Sequence, residues 1–178
     1  MSRPTELIRG TFVALGEFTV SDITDDYVGW LNDPIVVRFS NQRFKRHSIE
    51  SCLAYHSTFA NTPSLFLKII SLDSGKSIGT MTAHRSTAHG TADMGLLIGN
   101  SAYWQKGVGK EAWNLLLNWL ISEAGVRKVT GGCMAPNVPM TRIMKSSGMR
   151  LEAVRRGQEV LDGVPQDLLY FAKFRDSV

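Results

Sequence analysis

The segment from Met94 to Trp113 constrains the fold more than any other part of this chain. Residues 94–98 form an apolar run with the composition of a buried strand, and the run ends at Gly99. After a short loop, the sequence KGVGK at residues 106–110 leads into an amphipathic helical pattern. Two glycines at the start of a helix let backbone amides approach an anion, and the helix dipole adds partial positive charge. The segment therefore predicts a strand–loop–helix unit that binds phosphate.

The hydrophobic pattern of the whole chain predicts an α+β domain with a mixed, mostly antiparallel sheet covered by helices on both faces. Strands are expected at residues 6–13, 64–71, 77–85, 91–99, 126–134, 149–160 and 164–174. Helices are expected at residues 23–32, 49–59, 110–124 and 138–146. Short turns indicate antiparallel hairpins, whereas the strand–helix–strand unit over residues 94–134 requires one parallel pair.

Length and composition limit the class of protein. The 178 residues are expected to form a single domain, 1–178, with no membrane-spanning run and no secretory leader. The two cysteines, Cys52 and Cys133, lie in apolar surroundings, so we expect reduced, buried thiols in a cytoplasmic protein. A net charge of +4 favours anionic ligands but is too small to indicate nucleic acid. We expect a monomer or homodimer and no metal site.

Two other phosphate-binding patterns fit the glycine loop only in part. Residues 107–112 satisfy the G-x-G-x-x-G/A pattern of dinucleotide-binding folds, but the required acidic residue after the next strand is missing. A P-loop needs an earlier glycine and a Ser or Thr after its lysine, whereas Glu111 follows Lys110. An ordinary glycine-rich helix start remains the third alternative.

Residues 93–113 resemble motif A of the GNAT acyltransferases, which are acetyl-CoA-dependent N-acetyltransferases. The stretch YWQKGVGKEA at 103–112 is similar to the RimJ/RimL-like branch of that family. Residues 8–34 look like the branch's opening strand and first helix, and residues 137–149 look like motif B, which runs from an asparagine to a glycine. The resemblance covers most of the chain. It implies one three-layer α/β/α domain with a splayed parallel strand pair at the acetyl-CoA site.

The resemblance also implies which residues bind acetyl-CoA. In the family, loop amides bind the pyrophosphate; here they belong to Gln105, Lys106, Gly107, Val108, Gly109 and Lys110. The pantetheine arm pairs with the preceding strand, here Leu96, Leu97, Ile98 and Gly99. An amide near Leu97 or Ile98 would polarise the thioester carbonyl. Trp104 occupies the first signature position, a substitution that this branch tolerates. Asn137 would face the CoA arm, cap the next helix, or do both.

The proton donor of the family is replaced in this chain. The motif B tyrosine that serves many relatives as general acid falls at Met144, and the serine common in this branch falls at Met140. Methionine cannot donate a proton, so Tyr103, Tyr170 or water would have to supply it. CoA thiolate is a fair leaving group, since a free thiol has a pKa of roughly 8.5.

Amide formation needs an uncharged amine and therefore a base. Asp93 aligns with an acidic residue often found at the start of this strand and is our first candidate. An unperturbed aspartate is a weak base, with a pKa of about 3.9. His84 and His89, close by in sequence, are the alternatives, because histidine side chains are common general bases.

The family's acceptor site is shaped by the connection between the first two helices, here residues 38–47. Its cations and aromatic rings suggest an acceptor with negative charge and a planar group, such as a nucleotide-linked amino sugar. The candidate binding residues are Arg38, Phe39, Arg43 and Phe44. A solvated basic loop is the alternative. The closest branch implies a protein N-terminus as acceptor, and a small-molecule amine is a further candidate.

Three classes of function follow. The first is an N-acetyltransferase that works by direct attack in a ternary complex. The second, suggested by the missing motif B donor, is a non-catalytic acetyl-CoA-binding module. The third is a basic nucleic-acid-binding domain that uses residues 38–47, which we do not expect because basic runs are scarce elsewhere.

Overall fold

The computed structural model describes residues 7–175. Its eight strands form one sheet in the order β1-β2-β3-β4-β5-β6-β8-β7. The strands are β1 (Ile8–Arg9), β2 (Val13–Glu17), β3 (Leu65–Ser71), β4 (Ser77–Ser86), β5 (Thr91–Ile98), β6 (Lys128–Met134), β7 (Arg150–Leu161) and β8 (Val164–Phe174). The α-helices are α1 (Asp25–Asn32), α2 (Ile49–Ser57), α3 (Val108–Ser122) and α4 (Val138–Ser146). This is the α+β architecture that the sequence predicts.

The sheet separates two apolar cores. Helices α3 and α4 cover one face, where Trp113, Leu116 and Leu120 are fully buried against the central strands. Helices α1 and α2 cover the other face through an aromatic cluster that includes Phe18 and Phe66, whose rings stack at 4.2 Å. Because side chains alternate along a strand, the residues of β5 divide between these two faces.

Every neighbouring pair of strands is antiparallel except β5 and β6, which run parallel. Their pairing extends from Thr91 opposite Lys128 to Met94 opposite Gly131 and then stops. Beyond that point β5 continues beside β4 alone, and β6 continues beside β8 alone. The two central strands therefore diverge. We call the space between residues 95–98 and 132–134 the β5–β6 cleft.

The N-terminal strand prediction is wrong. Instead of one strand over residues 6–13, the structure has the two-residue β1, a turn, and the buried strand β2; residue 6 lies outside the described residues. The turn forms because the Glu111 carboxylate accepts hydrogen bonds from the amides of Thr11, Phe12 and Val13 at 2.7, 2.7 and 2.8 Å. Thr11 and Phe12 therefore lie in the turn, and β2 begins at Val13.

The other elements agree with the predicted ones to within about two residues. Both cysteines are free and buried. Among residues 7–175, none of the helices combines the length and apolarity needed to cross a membrane.

Candidate active site

Two glycines stand where the strands part. Gly95 in β5 and Gly132 in β6 directly follow the last paired residues. On the α1/α2 face, a Cβ on Gly95 would lie 2.8 Å from Thr82 Oγ1, and a Cβ on Gly132 would lie 3.1 Å from the Tyr170 ring. The two glycines therefore let the Thr82 and Tyr170 side chains lie close against the backbone where the strands diverge. The sequence analysis missed both glycines, although a glycine inside a strand signals close approach by another group.

The edge of β5 that faces the cleft carries unpaired backbone groups. The amide of Gly99 donates to Ile78 of β4 at 3.0 Å, so alternate residues point the other way. The backbone groups of Leu96 and Ile98 thus face the cleft, and those of Leu97 face β4. Trp104 donates its indole N–H to the Ile98 carbonyl at 2.9 Å. Among the described residues, the Ile98 amide and both backbone groups of Leu96 therefore have no hydrogen-bond partner.

The loop before α3 presents free amides. Within residues 7–175, the amides of 105–110 make no backbone hydrogen bond, and the first helical bond runs from the Glu111 amide to the Gly107 carbonyl at 3.0 Å. Gln105 and Gly107 have φ values of 60° and 81°. Such left-handed residues turn successive N–H groups toward one side, which creates a concave anion site. A Cβ on Gly107 would meet nothing within 4 Å, so this side of the loop is open.

The start of α3 is fixed to the cleft. Gly109 is buried, and a Cβ there would lie 3.5 Å from Leu96, Ile98 and Ile143. Glu111, in the same helical turn, binds the β1–β2 turn. Burial raises the pKa of Glu111, but the three amide donors outweigh it and leave the pKa below its usual value. The donors also offset a negative charge that would otherwise oppose an anion at this helix end.

Asp93 lies in a cross-strand row on the α1/α2 face. Its side chain is exposed, and its backbone is paired in the sheet with His84 of β4 on one side and with Thr130 of β6 on the other. Asp93 Oδ1 accepts a hydrogen bond from the Thr130 hydroxyl at 2.6 Å. The His84 ring is 5.4 Å from Phe59. These two candidate bases therefore sit side by side where the parallel pair ends. His89 lies in the β4–β5 turn, where its carbonyl accepts from Arg127.

Tyr103 does not join this group. Its hydroxyl donates to Ser74 in the β3–β4 turn at 3.0 Å, beside the end of β5 that is remote from Asp93. Hydrogen bonds to Ser74 and Ser71 lower the pKa of Tyr103. Tyr170, by contrast, lies over Gly132 on the face that carries Asp93.

Motif B contributes a cap and core contacts. The Asn137 side chain accepts from the Met140 amide at 3.2 Å and so caps α4, as predicted. Met144 is fully buried, and its sulfur would lie 3.4 Å from a Cβ on Gly131. Met140 packs at the edge of the same core. The position at which the resemblance predicts a tyrosine thus holds a buried apolar side chain.

The basic loop binds the β7–β8 hairpin. Arg38 forms a 2.7 Å salt bridge with Asp162, and Arg43 donates to the Val160 carbonyl at 2.8 Å. The Arg43 guanidinium also lies 4.2 Å from the Phe44 ring centre, and Phe44 is 69% exposed. Phe39 is half-buried beside Arg38. The two arginines expected to bind an acceptor phosphate are therefore engaged within the chain.

Within the described residues, no group of three or more His, Cys, Asp or Glu side chains is placed to hold a metal ion.

Comparisons with known proteins agree on one family. The sequence model of the acetyltransferase (GNAT) domain matches residues 13–150. No curated protein sequence matches the chain. Among solved structures, a GNAT-family acetyltransferase from Bacillus anthracis is 18% identical, with a TM-score of 0.81 over 97% of this chain and 100% of that chain.

Two further solved structures have the same fold. The ribosomal-protein-S5-alanine acetyltransferase from Vibrio fischeri is 14% identical, with a TM-score of 0.79 over 97% of this chain and 98% of that chain. The microcin C7 self-immunity acetyltransferase MccE, in complex with acetyl-CoA and AMP, is 20% identical, with a TM-score of 0.76 over 93% of each chain. The free loop amides, the diverging parallel strands and the match over 13–150 lead to one conclusion: this chain is an acyltransferase that belongs to the GNAT acetyltransferase family.

Proposed function

We propose that this protein transfers the acetyl group of acetyl-CoA to a primary amine, with both substrates bound at once. The observation that carries the proposal is the set of unpaired amides at residues 105–110 next to the unpaired edge of β5. A diphosphate fits a concave row of N–H groups at a helix start. An extended arm with amide groups fits an open strand edge. A Cβ on Gly109 would lie 3.5 Å from Leu96 and Ile98, so the loop and the β5 edge adjoin each other.

Different residues would bind different parts of acetyl-CoA. The amides of 105–110 would hold the diphosphate, and the Lys106 and Lys110 side chains would add charge. Leu96 and the Ile98 amide would bind the pantetheine arm. Bound acetyl-CoA supplies a thioester carbonyl for the amine to attack, with loss of the CoA thiol. The Ile98 amide is our candidate for polarising that carbonyl, because the backbone groups of Leu97 are directed toward β4.

Asp93 is the proposed base. It lies at the closed end of the β5–β6 cleft, and its exposed carboxylate can take a proton directly or through a water molecule. The Thr130 hydroxyl donates to Asp93 Oδ1 and thereby orients the carboxylate, leaving Oδ2 available for the proton. His84 is the alternative base in the same row. Tyr170 is the better placed of the two tyrosines to protonate the thiolate, since it borders the cleft.

Two classes of amine acceptor are candidates. A nucleotide-linked amino sugar remains a candidate, and the related fold of MccE in complex with AMP supports it. The intramolecular contacts of Arg38 and Arg43 weigh against their use as phosphate ligands. A protein N-terminal amine, suggested by the related ribosomal-protein acetyltransferase, is the second candidate.

The test is thiol release from acetyl-CoA across a panel of amino-sugar nucleotides, peptides and small amines. The proposal predicts release with at least one acceptor and none without an amine. Saturable acetyl-CoA binding without release for any acceptor would instead identify a non-catalytic acetyl-CoA-binding module.

A further inference from the structure

The sheet face that carries Asp93 is open beyond the β5–β6 cleft. The aromatic cluster beneath α1 and α2 includes residues of β3 and β5 but, among the described residues, none of β6, β7 or β8. Paired residues of antiparallel strands lie on the same face. Gly132 of β6 pairs with Tyr170 of β8, which pairs with Ala153 of β7, and both Gly132 and Ala153 are exposed. An acceptor that lies on this open surface can present its amine to the cleft.

One arginine lies on that surface. Arg155 of β7 pairs with Leu168 of β8, which pairs with Met134 at the cleft. Two strand spacings separate the backbones of Arg155 and Met134, or roughly 10 Å. The Arg155 guanidinium carbon lies 5.0 Å from the centre of the Tyr170 ring, and that ring lies over Gly132. A single aromatic ring therefore separates this positive charge from the edge of the cleft.

The charge of Arg155 is not balanced within the described chain. Among residues 7–175, Arg155 forms no salt bridge. The acids nearest to it along β7 and β8 have other partners: Glu152 pairs with Lys128, and Asp167 pairs with Arg156. The cation–π contact with Tyr170 holds the guanidinium group in place but supplies no negative charge. The guanidinium N–H groups are thus available for a carboxylate or a phosphate, whose oxygens they match in geometry.

We propose that Arg155 binds an anionic group of the amine acceptor, a carboxylate or a phosphate, and thereby places the acceptor's amine at the β5–β6 cleft. The inference rests on the proposed function and adds the acceptor's chemistry. The guanidinium group lies one to two strand spacings from the cleft, so the acceptor's amine and anion are roughly 5–10 Å apart. Polycationic acceptors are disfavoured, because Arg155 repels their second charge.

Two matched pairs of acceptors test this inference. Gly-Gly and Gly-Gly amide differ only in the carboxylate, and a dipeptide spans about 7 Å. Glucosamine 6-phosphate and glucosamine differ only in the phosphate. We expect kcat/KM to be at least ten-fold higher for the anionic member of at least one pair, because charge-assisted hydrogen bonds are strong. The pair that shows the preference identifies carboxylate or phosphate as the group bound, and equal kcat/KM within both pairs would refute the inference.

Variants at one position then assign the preference. Arg155→Gln should reduce it about ten-fold, Arg155→Lys should retain part of it, and Arg155→Glu should make the neutral member the better acceptor. Arg156→Gln is the matched control, because it removes the same charge from the next residue, which is directed to Asp167 on the opposite face. It should leave the preference intact. A preference that survives Arg155→Gln, or that falls equally in Arg156→Gln, would contradict the inference while leaving acetyl transfer established.

Failure of the proposed function has a different signature: acetyl-CoA binds normally but none of the four compounds is acetylated. Calorimetric titration of the four compounds into protein saturated with CoA then decides the inference from binding alone. Tighter binding of an anionic member, lost in Arg155→Gln and kept in Arg156→Gln, supports Arg155 as the anion ligand. Equal binding within both pairs, or no measurable binding of any compound, refutes it.

Discussion

Replacing Glu111 with Gln should destabilise the protein, because one carboxylate holds the β1–β2 turn against the start of α3. Oε1 accepts from the Thr11 amide, and Oε2 accepts from Phe12 and Val13. A glutamine keeps one oxygen and turns an NH2 group toward the remaining donor, so at least one charge-assisted bond is lost. Such a bond contributes about 1.5–3 kcal/mol when buried, and we expect about 1–2 kcal/mol because Glu111 is only half-buried. That corresponds to a fall in Tm of roughly 2–8 °C.

The effect should depend on pH with a definite sign. The pKa of Glu111 is lowered in the folded protein, so its contribution is complete above the ordinary glutamate pKa of 4.5 and disappears as pH falls through the folded value. The difference in unfolding free energy between wild type and Glu111→Gln should therefore be full at pH 7 and shrink below about pH 4.5.

Urea unfolding followed by circular dichroism measures this difference. Glu123→Gln is the matched control, because it makes the same change at an exposed site at the other end of α3 and should alter stability by no more than about 0.5 kcal/mol. Equal stability of Glu111→Gln and wild type at pH 7 would show that the three hydrogen bonds do not hold the turn.

Two further predictions concern the site itself. Gly107→Val should reduce acetyl-CoA affinity at least ten-fold and should lower stability by about 1–2 kcal/mol. Gly163→Val is the control: Gly163 has a similar φ of 78° and equal open space, so this variant should show the same stability loss with unchanged affinity. Calorimetric titration with acetyl-CoA distinguishes the two variants, and equal affinities would show that the loop is not part of the binding site. Asp93→Asn should lower kcat most on the acidic side of the pH–rate profile, because unprotonated amine is scarce there. KM for acetyl-CoA should be unchanged. A pH–rate profile that matches that of wild type would eliminate Asp93 as the base.

Local patterns predicted most of the fold. Trp113 and its helical repeat marked α3, Asn137 marked the start of α4, and the turn at residues 162–163 marked the last hairpin, because each depends on neighbours within a few positions. The prediction of the first strand was wrong because that segment depends on a contact that is distant in sequence. Its amides are captured by Glu111, 100 residues from Thr11, and no local pattern encodes that contact.

In the candidate site, too, features that depend on local sequence were predictable and those that depend on distant contacts were not. The glycine loop was evident from the sequence because its backbone requirements are local. The partners of Arg38 and Arg43 lie 124 and 117 residues away, so their apparent availability for an acceptor could not be corrected without the fold. The separation of Tyr103 from Asp93 likewise depends on where β5 and the β3–β4 turn meet, which only the strand register determines.

A crystal structure of the protein with CoA tests the central claim most directly. The account predicts diphosphate oxygens within about 2.7–3.2 Å of amide nitrogens of residues 105–110, and the pantetheine arm hydrogen-bonded to Leu96 in the β5–β6 cleft. A diphosphate bound elsewhere, with these amides facing only solvent and the cleft empty, would contradict it.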